Sequence, residues 1–221
     1  MKKTICIHQV EHLIWLGLID TFSKADWVVF ADDFQFKKNY FENRNRIRTK
    51  NGEKWVTIPI EKDNHKPMLN IHITEDPNWR KKYLKTIKCN YEKAPYFDIY
   101  YPEIVKVINQ EYILLMEFNY DLINLFKKWF KIKSFFYCSS YLKIDPNLRG
   151  TERLLEICKK MGATTYLSGP SGKDYLNLEL FKQAGIEVEF HEFEHPIYKQ
   201  QFEPFIPNLS AIDYLFNEGH A

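Results

Sequence analysis

Cysteine is scarce and scattered in this chain. Cys6, Cys89, Cys138 and Cys158 stand far apart with no CxxC pair, which removes a zinc site and a redox dithiol and predicts reduced, mostly buried thiols. Glycine and proline are also few, 8 and 10 residues of 221, and no low-complexity segment, internal repeat or Ser/Gly linker is present. Disorder, fibrous repeats and two independently linked domains are therefore set aside. An excess of one charge is missing: 31 basic against 29 acidic side chains leave +2. That balance carries no strong nucleic-acid signal, and binding to nucleic acid or a membrane surface would need a local patch. Long apolar runs are absent as well. Stretches such as Tyr112 to Met116 fall far short of the roughly 20 residues of a spanning helix. The N-terminal MKKTICIHQV is broken by His8, Gln9, Glu11 and His12, so no signal-peptide core forms, and a cytoplasmic protein without a transmembrane segment is expected.

What the chain has in excess is aromatic side chains, 16% of residues with 14 Tyr and 17 Phe. Aromatic faces suit a packed core, and equally sugars and nucleotide bases. At this length, with 45% hydrophobic residues, a full core is expected.

Thr4 to His8 is a β-branched run, Leu13 to Phe22 carries apolar residues at helical spacing, and Trp27 to Ala31 is again continuously apolar. Without alternation, the two runs read as parallel strands buried on both faces, with the helix as crossover. His8 then closes one strand and Asp32-Asp33 the next, bringing them to the sheet edge where α/β proteins bind ligands. Asn51-Gly52 between two alternating runs predicts a β-hairpin within residues 41–62. Residues 78–132 show three-to-four spacing, with Pro95 and Pro102 as breaks, and predict a helical insert of three helices. The α/β pattern then resumes: strands at Phe135 to Cys138, Thr165 to Leu167 and Ile186 to Phe190, and helices at Thr151 to Met161 and Leu178 to Ala184. A last helix near Ala211 to Phe216 follows, with Ser210 as a cap. The reading is one elaborated α/β domain over residues 1–221, with a mainly parallel sheet, a hairpin excursion and a helical insert.

Four constellations carry chemistry. In residues 7–18, His8 and His12 sit at the first strand-to-helix junction, where imidazole can stabilise charge on phosphate oxygens, with Gln9 and Trp15 beside them as substrate contacts. Two histidines four apart also suit a metal, or simply end a strand and start a helix. Next to the acidic rim and Gln35, the segment Asn43, Arg44, Asn45, Arg46 offers guanidinium forks and amides for a phosphorylated sugar or nucleotide, or polar groups to solvent. Ser168, Gly169, Ser171, Gly172 and Lys173 form a small-residue loop after a strand, able to face an anion or merely to turn, and without the Walker pattern. Trp79 and Arg80 on a basic helix, Tyr91 after it, and Asn208 in the proline-fixed tail complete the candidates. No metal ligand set is assigned.

In this order the motifs resemble the WbqC-like family of bacterial polysaccharide gene clusters: HQ at 8–9, WLG at 15–17, FADDFQF at 30–36, NRNRI at 43–47, WR at 79–80, GAT.YLSGP at 162–170 and PNLS.ID.LFNEG at 207–219. The chain departs from the family pattern at Val10, where proline is usual, and at Ile14, where a proline usually precedes the tryptophan. The resemblance implies O-antigen or capsule biosynthesis, and a nucleotidyltransferase-like (Rossmann-like) plan agrees with the βαβ units.

The expected function is acyl transfer, glycyl among the options, to the amine of a nucleotide-linked amino sugar. His8 or Asp33 serves as base and the Ser168–Gly172 loop as oxyanion donor. The donor is left open among ATP-activated, thioester and aminoacyl-tRNA forms, and a homo-oligomer is left open too. Two rivals stand beside it. One is a non-catalytic nucleotide-sugar or protein-binding module. The other is a nucleotidyltransferase acting on a sugar phosphate, with Asp32 and Asp33 on a divalent metal.

Overall fold

The computed structural model describes residues 2–61 and 65–219; position 62, at the end of the predicted hairpin segment, lies outside them. In chain order the elements are β1 (Thr4–His8), α1 (Leu16–Lys24), β2 (Trp27–Phe30), β3 (Arg44–Thr49), β4 (Gly52–Thr57), α2 (Asn78–Tyr91), α3 (Phe97–Ile108), α4 (Leu115–Trp129), β5 (Phe135–Cys138), α5 (Gly150–Lys160), β6 (Thr165–Ser168), α6 (Leu178–Gln183), β7 (Glu187–Phe190) and α7 (Ala211–Glu218). The class is α/β, as the sequence predicts. Contacts divide the chain into two compact units, one over Met1–Gln9, Asp20–Asp33 and Ile132–Glu194, the other over Val10–Ile19, Phe34–Lys131 and His195–Ala221.

The first unit holds a five-stranded, wholly parallel sheet in the order β5-β2-β1-β6-β7. Ile5, Val28, Val29 and Phe30 are fully buried, the outcome expected of apolar runs that do not alternate. From β1 the chain builds outward to β2 and β5, then crosses to the other side of β1 for β6 and β7. The strand order thus reverses between β1 and β6, which is where open α/β sheets form a ligand crevice. The ladder between those two strands holds at Thr4–Thr165 and Ile5–Tyr166 only, whereas β1 and β2 pair over four residues. Beyond Ile5, β1 and β6 are no longer paired among the described residues, and the sheet opens at its C-terminal edge.

The second unit is built on the antiparallel hairpin β3–β4 and the helices α2, α3, α4 and α7. Ile47, Ile58, Ile87, Phe118, Ile123 and Phe216 form its core, each at most 1% exposed. Pro102 does not break a helix as predicted. It lies inside α3 on an exposed position, where the carbonyl that loses its partner can turn to water. The first helix starts at Leu16 rather than Leu13 because Leu13 has a positive φ of 43°. The Asn45 side-chain amide also donates to the His12 and Leu13 carbonyls, at 3.1 and 2.8 Å, taking acceptors a helix would need.

His12 is consequently not a ligand-facing residue. It is fully buried: Nδ1 donates to Asn119 Oδ1 at 2.9 Å, and Nε2 accepts from the Tyr83 hydroxyl at 2.7 Å. Burial pushes its pKa down to about 4, the Asn119 bond opposing, so the imidazole is neutral near pH 7. Asn119 also donates to the Glu42 carbonyl at 2.7 Å.

The Glu42 carboxyl has no exposed surface. It accepts from the Lys37 amide, while Oε1 has no partner among the described residues. Burial raises its pKa from 4.5 to about 7, opposed by Lys37. A carboxyl whose folded pKa lies above the unfolded one stabilises fully below pH 4.5 and loses that contribution as pH rises through about 7. Glu42→Gln, which cannot ionise, is expected to flatten the fall in melting temperature over that window. Thermal melts across pH check this, and an equally steep fall in the variant contradicts it.

Trp15 starts α1: its carbonyl accepts from the amides of Leu18 and Ile19 at 3.1 and 3.2 Å, and its backbone bridges to Ser210. Its indole lies over Gly17 so closely that a Cβ there would overlap the ring. Gly17→Ala is expected to displace the indole and cost about 1–3 kcal/mol, read as a lower melting temperature.

Candidate functional site

The C-terminal edge of the first unit gathers His8 from β1, Asp32 and Asp33 beyond β2, Ser139 and Ser140 beyond β5, Ser168 and Gly169 at the end of β6, and His191 beyond β7. His8 is level with Phe30 in the ladder and packs edge-on to Phe22, with ring centroids 6.4 Å apart. Its Nδ1 lies 3.1 Å from the Gln9 carbonyl. A carbonyl only accepts, so Nδ1 carries the proton and Nε2 is the basic nitrogen of the ring.

The two aspartates differ in role. Asp32 is 2% exposed; Oδ1 accepts from the Ser140 amide at 2.9 Å and Oδ2 from the Ser140 hydroxyl at 2.6 Å. The Ser139 hydroxyl bridges Asp32 Oδ1, at 3.1 Å, and Asp33. Asp32 therefore ties the ends of β2 and β5 together. Asp33 is less buried and pairs with the Arg153 guanidinium at 2.7 Å, from the first turns of α5. At Cys138, the end of β5, burial pushes the thiol up to about 11, with the Asp32 charge adding to the effect, which disfavours the nucleophilic thiolate.

The loop after β6 closes on itself. Pro170 has no amide proton, the Gly172 amide donates to the Gly169 carbonyl at 3.0 Å, and the Ser168 hydroxyl donates to the same carbonyl at 3.1 Å. Within the loop expected to supply the oxyanion donors, the Gly172 amide and the Ser168 hydroxyl are thus spent internally. Ser171 and Lys173 are exposed, Lys173 near Glu192 at 3.6 Å and over the Phe190 ring at 5.5 Å. A Cβ on Gly172 would overlap Ser168 Oγ, so this turn tolerates only glycine without rearrangement. His191 turns from the edge to α1, its Nε2 2.6 Å from Asp20 and its Nδ1 3.2 Å from Thr21.

Gln9 lies in the first unit directly after β1 and is half-buried. The remaining predicted residues belong to the second unit and fall into two sets. Asn43, Asn45 and Tyr91 are buried and hold the fold: Asn43 donates to the Ile58 carbonyl at 3.1 Å, and Tyr91 joins a core network. Arg80 is likewise spent on the Ile108 and Gln110 carbonyls, at 3.0 and 3.4 Å. The second set faces outward. The Arg44 and Arg46 guanidinium groups lie 4.1 and 5.6 Å from the Trp55 ring centroid, and Arg46 also pairs with Glu53 at 2.9 Å and donates to the Asn208 carbonyl at 3.3 Å. Asn208 and Gln35 are exposed, Gln35 bridging Pro67. Trp79 belongs instead with the buried set, 8% exposed and edge-on to Tyr83 and Phe118.

Sequence reasoning misses the core network around Asp213. Fully buried on α7, it accepts from the Tyr91 and Tyr198 hydroxyls, each at 2.7 Å, and from the Gln200 amide at 2.8 Å. Tyr91 in turn accepts the Arg48 backbone amide at 2.8 Å, while the Arg48 guanidinium, 1% exposed, donates to the carbonyls of Thr49 and Pro204. Burial raises the Asp213 pKa, against the three donors and the Arg48 charge.

With the sheet edge and these motifs placed, the comparison with known proteins is decisive on family. The WbqC-like protein family model matches residues 9–221. The chain belongs to the WbqC-like protein family. It is similar to Rv1507c of Mycobacterium tuberculosis (strain ATCC 25618 / H37Rv), whose name describes it as uncharacterized, with 29% identity over 231 residues covering 99% of this chain and 95% of that protein. Among its described residues this WbqC-like protein has no helix long and apolar enough to cross a membrane.

Proposed function

We propose that this WbqC-like protein is a transferase of O-antigen or capsular polysaccharide biosynthesis that acylates the amine of a nucleotide-linked amino sugar on the cytoplasmic side of the membrane, with a glycyl group among the acyl groups it transfers. The observation that carries this reading is the reversal of strand order between β1 and β6, with His8 at the C-terminal end of one strand and the Ser168–Lys173 loop after the other. Open α/β sheets take nucleotides at such reversals.

In the reaction the sugar amine attacks the acyl carbonyl carbon, and a C–N bond forms as the carbonyl becomes a tetrahedral oxyanion. His8 Nε2 removes the proton the nitrogen loses. The intermediate then collapses to the amide as the bond to the leaving group breaks, and that group departs with the proton from His8. Asp33, fixed by Arg153 and Ser139, accepts a hydrogen bond from the amine and orients it. Ser171 and Lys173 meet the diphosphate.

The test is a thermal-shift panel with nucleotide-linked amino sugars, free amino sugars, ATP and acyl-coenzyme A. A bound ligand at a hundred times its Kd stabilises by about 2.7 kcal/mol. A shift with a nucleotide-linked amino sugar is expected, and its absence for every such sugar contradicts the reading. A shift without turnover of any donor favours a binding module instead.

A further inference from the structure

A groove of about 610 Å³ lies wholly within the second unit, between β4 and the first turns of α2. Its walls carry Trp55 and Trp79, and its polar groups include Lys54, Thr57, Asn78 and Lys82. Trp55 is 38% exposed and is backed by the Arg44 guanidinium at 4.1 Å. Trp79 is nine-tenths buried, and its indole N–H has no partner among the described residues. Behind it, Tyr83 is anchored to His12 at 2.7 Å, so the inner wall is held from the core.

The residue types narrow the ligand. An aromatic face beside short hydroxyl and amide side chains matches a pyranose, which presents C–H groups on its faces and hydroxyls around its rim. The lining is net positive, with Lys54 and Lys82 against the one carboxylate of Asp76, whose Oδ1 accepts from the Asn78 amide and side chain at 3.0 and 2.8 Å, and Arg44 lies over the Trp55 ring. The volume lies within the range of small-ligand sites. An apolar peptide would need a continuous hydrophobic floor, which these lysines and threonines interrupt.

We infer that this groove is a saccharide-binding site for an anionic pyranose, one bearing a carboxylate or a phosphate. The inference does not rest on the acyl-transfer reading. Either source of the charge fits the same lysines, so the probes separate them: methyl β-D-glucuronide, glucose 1-phosphate, and neutral methyl β-D-glucoside as the comparison.

Binding is followed by tryptophan fluorescence and saturation-transfer NMR on the full chain, with Trp55→Leu and Lys82→Met. Both positions are exposed, and melting temperatures verify that each variant is folded. Saturable binding of the glucuronide, the phosphate or both is expected, at least tenfold tighter than the glucoside, which corresponds to about 1.4 kcal/mol. Trp55→Leu is expected to abolish it, Lys82→Met to bring the anionic sugar down to the glucoside's affinity, and His8→Asn to leave it unchanged. Binding of the glucuronide alone assigns a uronate residue, and of the phosphate alone a sugar phosphate. Absence of saturable binding by either anionic sugar, equal binding of the neutral glucoside, or undiminished binding in both groove variants overturns the inference.

Discussion

Asp213→Ala is expected to lower stability by about 3–5 kcal/mol, the scale seen when one member of a buried polar network is removed. The alanine leaves the hydroxyls of Tyr91 and Tyr198 and the amide of Gln200 without their shared acceptor in a site closed to water. It also leaves the Arg48 guanidinium, 1% exposed, without the charge that faces it. At roughly 2–4 °C per kcal/mol for a protein of this size, a melting-temperature drop near 10 °C follows. Because such proteins hold about 5–15 kcal/mol in all, the variant stands near the edge of folding. Differential scanning calorimetry checks this. A change within 2 °C would mean that the network contributes little.

His8→Asn is expected to reduce kcat by about 10²–10⁴, the contribution of a positioned general base. Asparagine keeps a hydrogen-bonding group beside the Gln9 carbonyl but has no lone pair basic enough to take the amine proton. The crevice is otherwise unchanged, so affinity for the nucleotide-linked sugar should hold. A fall in kcat with constant Kd identifies a group that acts in the transition state. Equal losses in both would make His8 a binding residue.

The sheet is largely legible because most of its strands read as short apolar or β-branched runs, with β2 and β6 almost wholly buried and the edge strand β5 partly exposed: Thr4–His8 and Phe135–Cys138 end where the sequence places them. That legibility extends to the edge, since a residue that closes a parallel strand has one place to go. The same reasoning applied after Cys138 would have found Ser139 and Ser140. Arg153 was out of reach, because its meeting with Asp33 depends on how α5 approaches the sheet.

The first loop departs from its expected helical form for a local reason. Spacing puts His8 and His12 on one turn only if a helix begins at once, whereas the carbonyls of His12 and Leu13 are taken by Asn45 and the helix waits until Leu16. Asn43, Asn45 and Tyr91 illustrate a second limit: polar and aromatic side chains look alike in sequence whether they meet a ligand or a neighbour. Here their partners are other parts of the same unit, far along the chain.

The decisive measurement is mass spectrometry of a nucleotide-linked amino sugar incubated with the protein and each of three donors: an acyl-coenzyme A, an amino acid with ATP, and an aminoacyl-tRNA. The acyl-transfer reading predicts that one donor converts the sugar amine to an amide, and that His8→Asn suppresses the product while still binding the sugar. No amide with any donor, or undiminished product from the His8 variant, would contradict it.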